Sequence, residues 1–341
     1  MRITAITPMK NEGPFILEWL AYHILAGLND FLIFTNDCTD GTDLMLERLD
    51  DMGLVRHMPN PSMYRGATTH HHAVIHYIDT FLRPRRSDWY ISMDADEFIA
   101  VHAGRGRLRD LFDALPDAQL ISLCHLPFGC NGVRDFEDAP VISQFTRRFG
   151  WEAPDPSRSS LGIKTLVRRD APVERISNHA PQLRKDAALS ANWVNGGGEP
   201  LPEKLRRTIP KSLAAGEWSS SIAQVNHYAV RAMDTFLVQA ERGNANHDDL
   251  AADLKYWRKY DVNDVEDLSA ARHATDVGAL MSEFLRDEEL RRLHEGAVAH
   301  YRDRIAALRD TEDGASLRRR IERFHVRHWE TGGATAEGTN G

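Results

Sequence analysis

Trp89-Tyr90-Ile91-Ser92-Met93-Asp94-Ala95-Asp96-Glu97 joins an apolar run directly to three carboxylates within four residues. The apolar half has the length and β-prone composition of a strand. The acidic half needs full solvation or a compensating cation, because neighbouring carboxylates repel. Toward the N-terminus the same pattern of strand and polar turn occurs twice. Ile3 to Thr7 leads into Lys10-Asn11-Glu12, and Phe31 to Thr35 leads into Asn36-Asp37-Cys38-Thr39-Asp40-Gly41. Between them Ile16, Trp19, Leu20, His23 and Ile24 recur at helical spacing, with Gly13-Pro14 at the start and Gly27 as the C-cap. Leu44, Met45, Leu46 and Leu49 carry a second helix, capped by Thr42 or Asp43 and stopped at Gly53. Val55 to Met58 reads as a third strand, and a further helix is expected over about 69–82 before the strand at Trp89.

This βαβα order predicts an α/β fold, a mainly parallel sheet with helices on both faces. Ligands of such sheets bind beyond the carboxyl ends of the strands. The polar turns at 10–12, 36–41 and 94–97 should therefore meet on one edge. In the middle of the chain Leu120 to Leu126, Val141 to Phe149, Leu161 to Val167 and Val173 to Ser177 look like strands, and beyond Met233 the pattern turns helical. The expected division is an α/β domain over 1–230, a helical region over 231–330 and a disordered tail over 331–341.

The chain has 341 residues and a formal net charge of −8, with a 42% hydrophobic composition that supports a sizeable core. Its acidic balance argues against general nucleic-acid binding. Three cysteines, Cys38, Cys124 and Cys130, form no C-x-x-C pair, so a disulfide framework or zinc ribbon is not indicated. No apolar run has the length of a bilayer span, and Met1 to Pro8 reads as a first strand rather than a signal-peptide core. The expectation is a cytoplasmic protein, compatible with peripheral contact at a membrane surface.

An Asp-x-Asp turn at the mouth of a parallel sheet suits Mn²⁺ or Mg²⁺, hard ions that take oxygen ligands and bridge to phosphates. Such an ion offsets charge growing on a departing diphosphate. The alternative is a plain solvated acidic turn. Four ordered motifs carry a resemblance. Lys10-Asn11-Glu12, Glu18-Trp19 with Tyr22-His23, Asn36-Asp37-Cys38-Thr39-Asp40-Gly41-Thr42, and Asp94-Ala95-Asp96-Glu97-Phe98 resemble the GT-A glycosyltransferases of families 2 and 92. Phe128-Gly129-Cys130-Asn131-Gly132, then Asn226-His227-Tyr228 with Glu241-Arg242-Gly243, extend the likeness to about residue 245. It departs at Arg231-Ala232-Met233-Asp234-Thr235-Phe236, where relatives usually show Lys-Ser-x-Glu-Glu-Phe.

The resemblance implies a GT-A fold and transfer of a sugar from a nucleoside-diphosphate donor, UDP-linked, to a glycan or lipid-linked acceptor. Asn11, Glu12, Asp37 and Asp94 would lie at the donor nucleotide. Asp94 and Asp96 would hold the metal with a late histidine, His179 ahead of His227. For each histidine a hydrogen-bonded structural role is the alternative. Asp40 has a local alternative as the cap of the second helix. His72 and His76 share a helix face but lack further zinc ligands. An acceptor-side base is expected among Asp135, Glu137 and Asp138, whose alternative is a solvated acidic loop. Two other functions compete. A nucleotidyltransferase would carry a Gly-rich phosphate loop, which Thr7 to Gly13 lacks. A non-catalytic binding protein on the same fold would have less reason to keep both Asp94 and Asp96.

Overall fold

The structure, a computed structural model, describes residues 1–61, 70–82, 87–150, 160–241 and 250–332. Strands β1 (Ile3–Met9), β2 (Asp30–Thr35), β3 (Arg56–Pro59) and β4 (Trp89–Ser92) alternate with helices α1 (Ile16–Ala26) and α2 (Thr42–Asp51) and with a helix over His70–Tyr77 that ends in a π-helical turn. β1 pairs in parallel with β2 and β4, and β2 with β3. The period of two divides these strands between two cores. Ile3, Ala5, Phe31, Ile33, Trp89 and Ile91 face α1 and α2, while Ile6, Leu32, Phe34 and Tyr90 face Val74, Ile75 and Ile78 on the other side. Helices thus cover both faces, as expected.

Beyond β4 come β5 (Glu97–Val101), β6 (Leu120–Pro127), β7 (Arg147–Arg148), β8 (Ser160–Arg168), β9 (Val173–Arg175), β10 (Gln182–Leu183), β11 (Trp193–Asn195), β12 (Ser212–Ala214) and β13 (Ala223–His227). The main sheet runs β3-β2-β1-β4-β8-β6-β13-β5, with β11 on β6 and β12 on β8. Only β5 and β8 oppose the common direction. The carboxyl ends of β1, β2, β4, β6 and β13 therefore share one edge. This is the mainly parallel GT-A architecture that the sequence led us to expect.

Several local expectations change. Residues 141–149 are not a strand: Val141–Gln144 is a short helix, followed by two-residue β7. Glu18 accepts the free amides of Val141 and Ile142, at 2.7 and 3.0 Å, and so fixes the start of that helix. Val173–Arg175 is a strand, but it pairs with β10 apart from the main sheet. Pro14 sits in the turn before α1, which begins at Ile16. Helix α2 has Gly41 at its N-cap, and Asp40 Oδ1 accepts from Thr42 N at 2.9 Å.

From Met233 onward most described residues are helical. The helix Ala274–Phe284 packs on α1, and Glu288–Arg309 packs on α2 and on the helix Met233–Glu241. Val277, Phe284, Leu290, Tyr301 and Ile305 join the same core as Ile16, Trp19 and Leu20. Helix α1 is thus covered on the sheet side and on the outer side, which is why even Glu18 and His23 are buried. Among the described residues no helix is long and apolar enough to cross a membrane.

Candidate active site

The acidic turn is held by α1. β5 starts at Glu97 and is an edge strand, so its outer backbone groups need partners. Trp19 Nε1 donates to Glu97 O at 3.2 Å, and Tyr22 Oη donates to Ile99 O at 3.0 Å. His23 Nδ1 donates to Trp19 O at 2.8 Å, which leaves Nε2 to accept from Ile99 N at 3.4 Å. Burial pushes the His23 imidazole down to about 3, so it stays in this neutral form. The Glu18-Trp19…Tyr22-His23 motif is thus a clamp on the strand that leaves the turn. From the other side Tyr228 N donates to Asp96 O at 2.9 Å, and His227 pairs in register with Glu97.

The three carboxylates of the turn meet three different environments. Asp94 Oδ2 lies 3.0 Å from Lys164 Nζ, and Glu97 Oε2 lies 3.3 Å from the same ammonium. Lys164 is fully buried in β8 and also donates to Asn178 Oδ1 at 2.9 Å. Burial alone would lower its ammonium, but Asp94 and Glu97 hold it above its ordinary value. Glu97 accepts from Asp94 N at 2.9 Å, and burial pushes its carboxyl up to about 8 against the pull of Lys164. Asp96 faces His227 instead, with Oδ2 to Nε2 at 3.5 Å. Burial opposes charge on both partners, yet their mutual attraction lowers the Asp96 carboxyl and raises the His227 imidazole. His227 Nδ1 has no hydrogen-bond partner among the described residues. Asp96, Glu97 and His227 form a group of potential metal ligands whose donor atoms lie within 4.8 Å of one another.

His179 is not in that group. Its Nδ1 is 3.0 Å from Ile163 O, and burial lowers its imidazole. His125, which no motif singled out, lies between the two expected histidines, with ring centroids 5.3 Å from His227 and 6.4 Å from His179. Its Nε2 is 3.2 Å from Glu97 Oε1 but off the hydrogen-bond line. Burial, with His227 and Lys164 nearby, holds it well below its ordinary value.

The turns after β1 and β2 are tied together. Thr39 N donates to Asn11 Oδ1 at 2.8 Å, and Gly13 N donates to Asp40 Oδ2 at 2.9 Å. Asp40 is therefore spent on the backbone, whereas Asp37 is exposed. Asn11 and Asp37 both hold left-handed backbones, φ 53 and 48. Such conformations cost of order 1–3 kcal/mol and gather at functional sites. Arg231 is a third case, φ 51, and is buried with its guanidinium 3.8 Å from the Phe15 ring centroid and 3.4 Å from Glu12 Oε2. Asn11, Glu12, Asp96 and Arg231 line one small cavity. His227, His125 and His179 line a separate cleft of ≈ 680 Å³. The Asp96–His227 pair stands between the two.

The acids expected to supply a base lie elsewhere. Asp135 is ion-paired with Arg309 and, at 3.3 Å, with Arg318. Asp138 lies 3.7 Å from His294, whose hydrogen bond lowers its carboxyl. Glu137 is exposed, and none of the three lines either cavity. Their placement gives Asp135 and Asp138 the work of fastening this loop to the C-terminal helices. His76 is exposed on its helix, and Arg242 and Gly243 lie outside the described residues.

The sequence profile of glycosyltransferase family 92 matches residues 3–187, more than half of the chain. The chain belongs to glycosyltransferase family 92. A family 92 protein of Ricinus communis is 24% identical over 248 residues, 69% of this chain and 36% of the relative. One of Oryza sativa subsp. japonica is 26% identical over 170 residues, 48% and 26% of the two chains. The chain thus spans about a third or less of the curated relatives it matches. Likeness to solved structures is slight. S. aureus TarS 1-349 in complex with UDP-GlcNAc gives a TM-score of 0.35 at 12% identity, covering 96% of this chain and 92% of that one. Mannosyl-3-phosphoglycerate synthase from Rubrobacter xylanophilus gives 0.27 at 17% identity, covering 37% and 40%. The departure from the usual family 92 pattern at Arg231 to Phe236 falls beyond the matched span.

In this family 92 chain the donor set at Asp96 fits a divalent ion. Two ligands at about 2.1 Å from one metal stand about 3–3.5 Å apart, near the observed 3.5 Å between Asp96 Oδ2 and His227 Nε2. A carboxylate beside a neutral imidazole suits Mn²⁺. Lys164 already compensates Asp94, so Asp96 is the carboxylate of the Asp-x-Asp turn that keeps its charge available. Sequence reading missed Lys164 and His125. The available signal for Lys164 was a lone cation inside the apolar run Leu161-Gly162-Ile163-Lys164-Thr165-Leu166-Val167. Such a residue must find buried anions.

Proposed function

We propose that this chain transfers a glycosyl group from a UDP-sugar to a hydroxyl of a glycan or lipid-linked acceptor. The observation that carries the reading is the Asp96–His227 pair at the shared carboxyl edge of β4 and β13, one strand from the Asn11 turn. Asn11 and Asp37, on paired strands, would face the nucleoside, where a carboxylate accepts hydrogen bonds from ribose or base. Asp96 and His227 would hold Mn²⁺ or Mg²⁺. When bound, the ion neutralises charge on the departing diphosphate. The protein's own part is electrostatic preparation. Lys164 cancels Asp94 and Glu97, so the turn presents one available carboxylate instead of three. The α1 clamp fixes the backbone from which Asp96 projects. The acceptor oxygen then bonds to the anomeric carbon and loses its proton, and the diphosphate leaves with the electron pair of the broken bond.

A thermal-shift panel of nucleoside diphosphates with Mn²⁺ tests this reading. The matching nucleotide at a hundredfold excess over its Kd stabilises the fold by about 2.7 kcal/mol. UDP is expected to raise the melting temperature more than ADP, GDP or CDP. Equal or absent shifts for all four at millimolar concentration would remove the donor assignment.

A further inference from the structure

The cleft beside His227 carries a charge pattern that sugar transfer alone does not require. Its wall is the helix Leu250–Tyr260, on which Lys255, Arg258 and Lys259 follow i, i+3, i+4 spacing and share a face. Lys211, just before β12, reaches the same space from another element. No carboxylate lines the cleft, although the chain as a whole carries −8. Among the described residues neither Lys211 nor Lys255 has an ion-pair partner, whereas Arg258 lies over the Phe324 ring at 5.3 Å. The opposite face of that helix buries Leu254 and Trp257, so its register is fixed by the core. A solvated basic face would need no concavity and no second element. Here both occur, and the floor is made of imidazoles. Gly162 keeps that floor open, since a Cβ there would stand 3.1 Å from His125 Nδ1.

We infer that this cleft is an anion subsite and that it receives an acceptor bearing a phosphate or carboxylate close to the hydroxyl that is glycosylated. That it receives the acceptor rests on the glycosyltransferase reading; that it binds anions does not. The donor nucleotide belongs beyond Asp96, at the turns after β1 and β2. Past the Asp96–His227 pair the next space is the cleft, where the acceptor must lie. Four converging cations would hold an anionic group through charge-assisted hydrogen bonds and would reject a neutral sugar by leaving themselves uncompensated.

The test uses the full chain and three probes of similar size: glucose, glucuronate and glucose 6-phosphate. Binding is measured by calorimetry with and without saturating UDP and Mn²⁺. Glucose 6-phosphate and glucuronate are expected to bind, glucose is not, and UDP should leave anion binding in place. A Lys211→Gln/Lys255→Gln double variant should weaken anion binding by about tenfold or more, the worth of a hydrogen bond to a charged group. Its melting temperature should stay unchanged, since both side chains are exposed. Equal binding of glucose, displacement of the anions by UDP, or full affinity in the double variant would each overturn the inference. Anion binding in a protein that fails to bind UDP would uphold the subsite and overturn the donor reading.

Discussion

Lys164→Met removes the one ammonium between Asp94 and Glu97 while keeping an unbranched side chain of similar length. The Lys164 side chain is 0% exposed and that of Glu97 1%, so Glu97 cannot fall back on water. Breaking a buried pair from one side costs about 3–5 kcal/mol. The cost depends on pH, because burial already raises the Glu97 carboxyl to about 8. A carboxyl raised in the folded state favours folding below its unfolded value and loses that contribution as pH rises through its folded value. Lys164 limits this loss by attracting the anion. Without it Glu97 binds its proton more tightly, and the penalty for ionising it grows. The variant should therefore be destabilised by about 3–5 kcal/mol at pH 8 and by roughly 1–2 kcal/mol at pH 5.5, where Glu97 is protonated and only the hydrogen bonds of Lys164 are lost. Urea unfolding of parent and variant at both pH values measures the difference. A variant as stable as the parent at pH 8, or a deficit that shrinks as pH rises, would refute Lys164 as the counter-ion of this turn.

Tyr22→Phe leaves Ile99 O without its partner on the edge strand and should cost about 1–3 kcal/mol, read by urea unfolding; an unchanged midpoint would deny the clamp. Gly129→Ala places a Cβ 2.4 Å from Asn263 Oδ1 and should cost about 1–3 kcal/mol, and melting at the parent temperature would show that the loop yields freely. Mn²⁺ binding should tighten as pH rises from about 5.5 to 7.5, because His227, whose imidazole Asp96 raises, must lose its proton before it ligates. Calorimetric titration across that range checks the sign, and affinity independent of pH would remove His227 from the ligand set.

The N-terminal sheet was legible because each strand there is central, apolar and ends in a polar turn. β5 was not, since Glu97-Phe98-Ile99-Ala100-Val101 follows the acidic turn with no loop between them and depends on α1 for its hydrogen bonds. Residues 141–149 looked β-prone, yet Glu18 caps a helical turn there from more than a hundred residues away, a tertiary override of local propensity. At the site, motif spacing located Asp96 and His227 but not their pairing, which depends on the register of β13 with β5. Asp135 and Asp138 lay in the expected region by sequence, but their positive partners Arg309, Arg318 and His294 come from the distant C-terminal helices.

The central claim is that Asp96 works through a divalent ion. Donor hydrolysis, the release of UDP from a UDP-sugar, should be measured for the parent and for Asp96→Asn, each with Mn²⁺ and with EDTA. Losing one charge-stabilising group costs about a hundredfold or more in turnover. The substitution also relieves repulsion with Asp94, so folding should be little affected. Asp96→Asn is expected to fall by at least that factor at near-parent melting temperature, and EDTA is expected to bring the parent down to the same level. Full activity of the parent in EDTA, or an Asp96→Asn protein as active as the parent, would contradict the account.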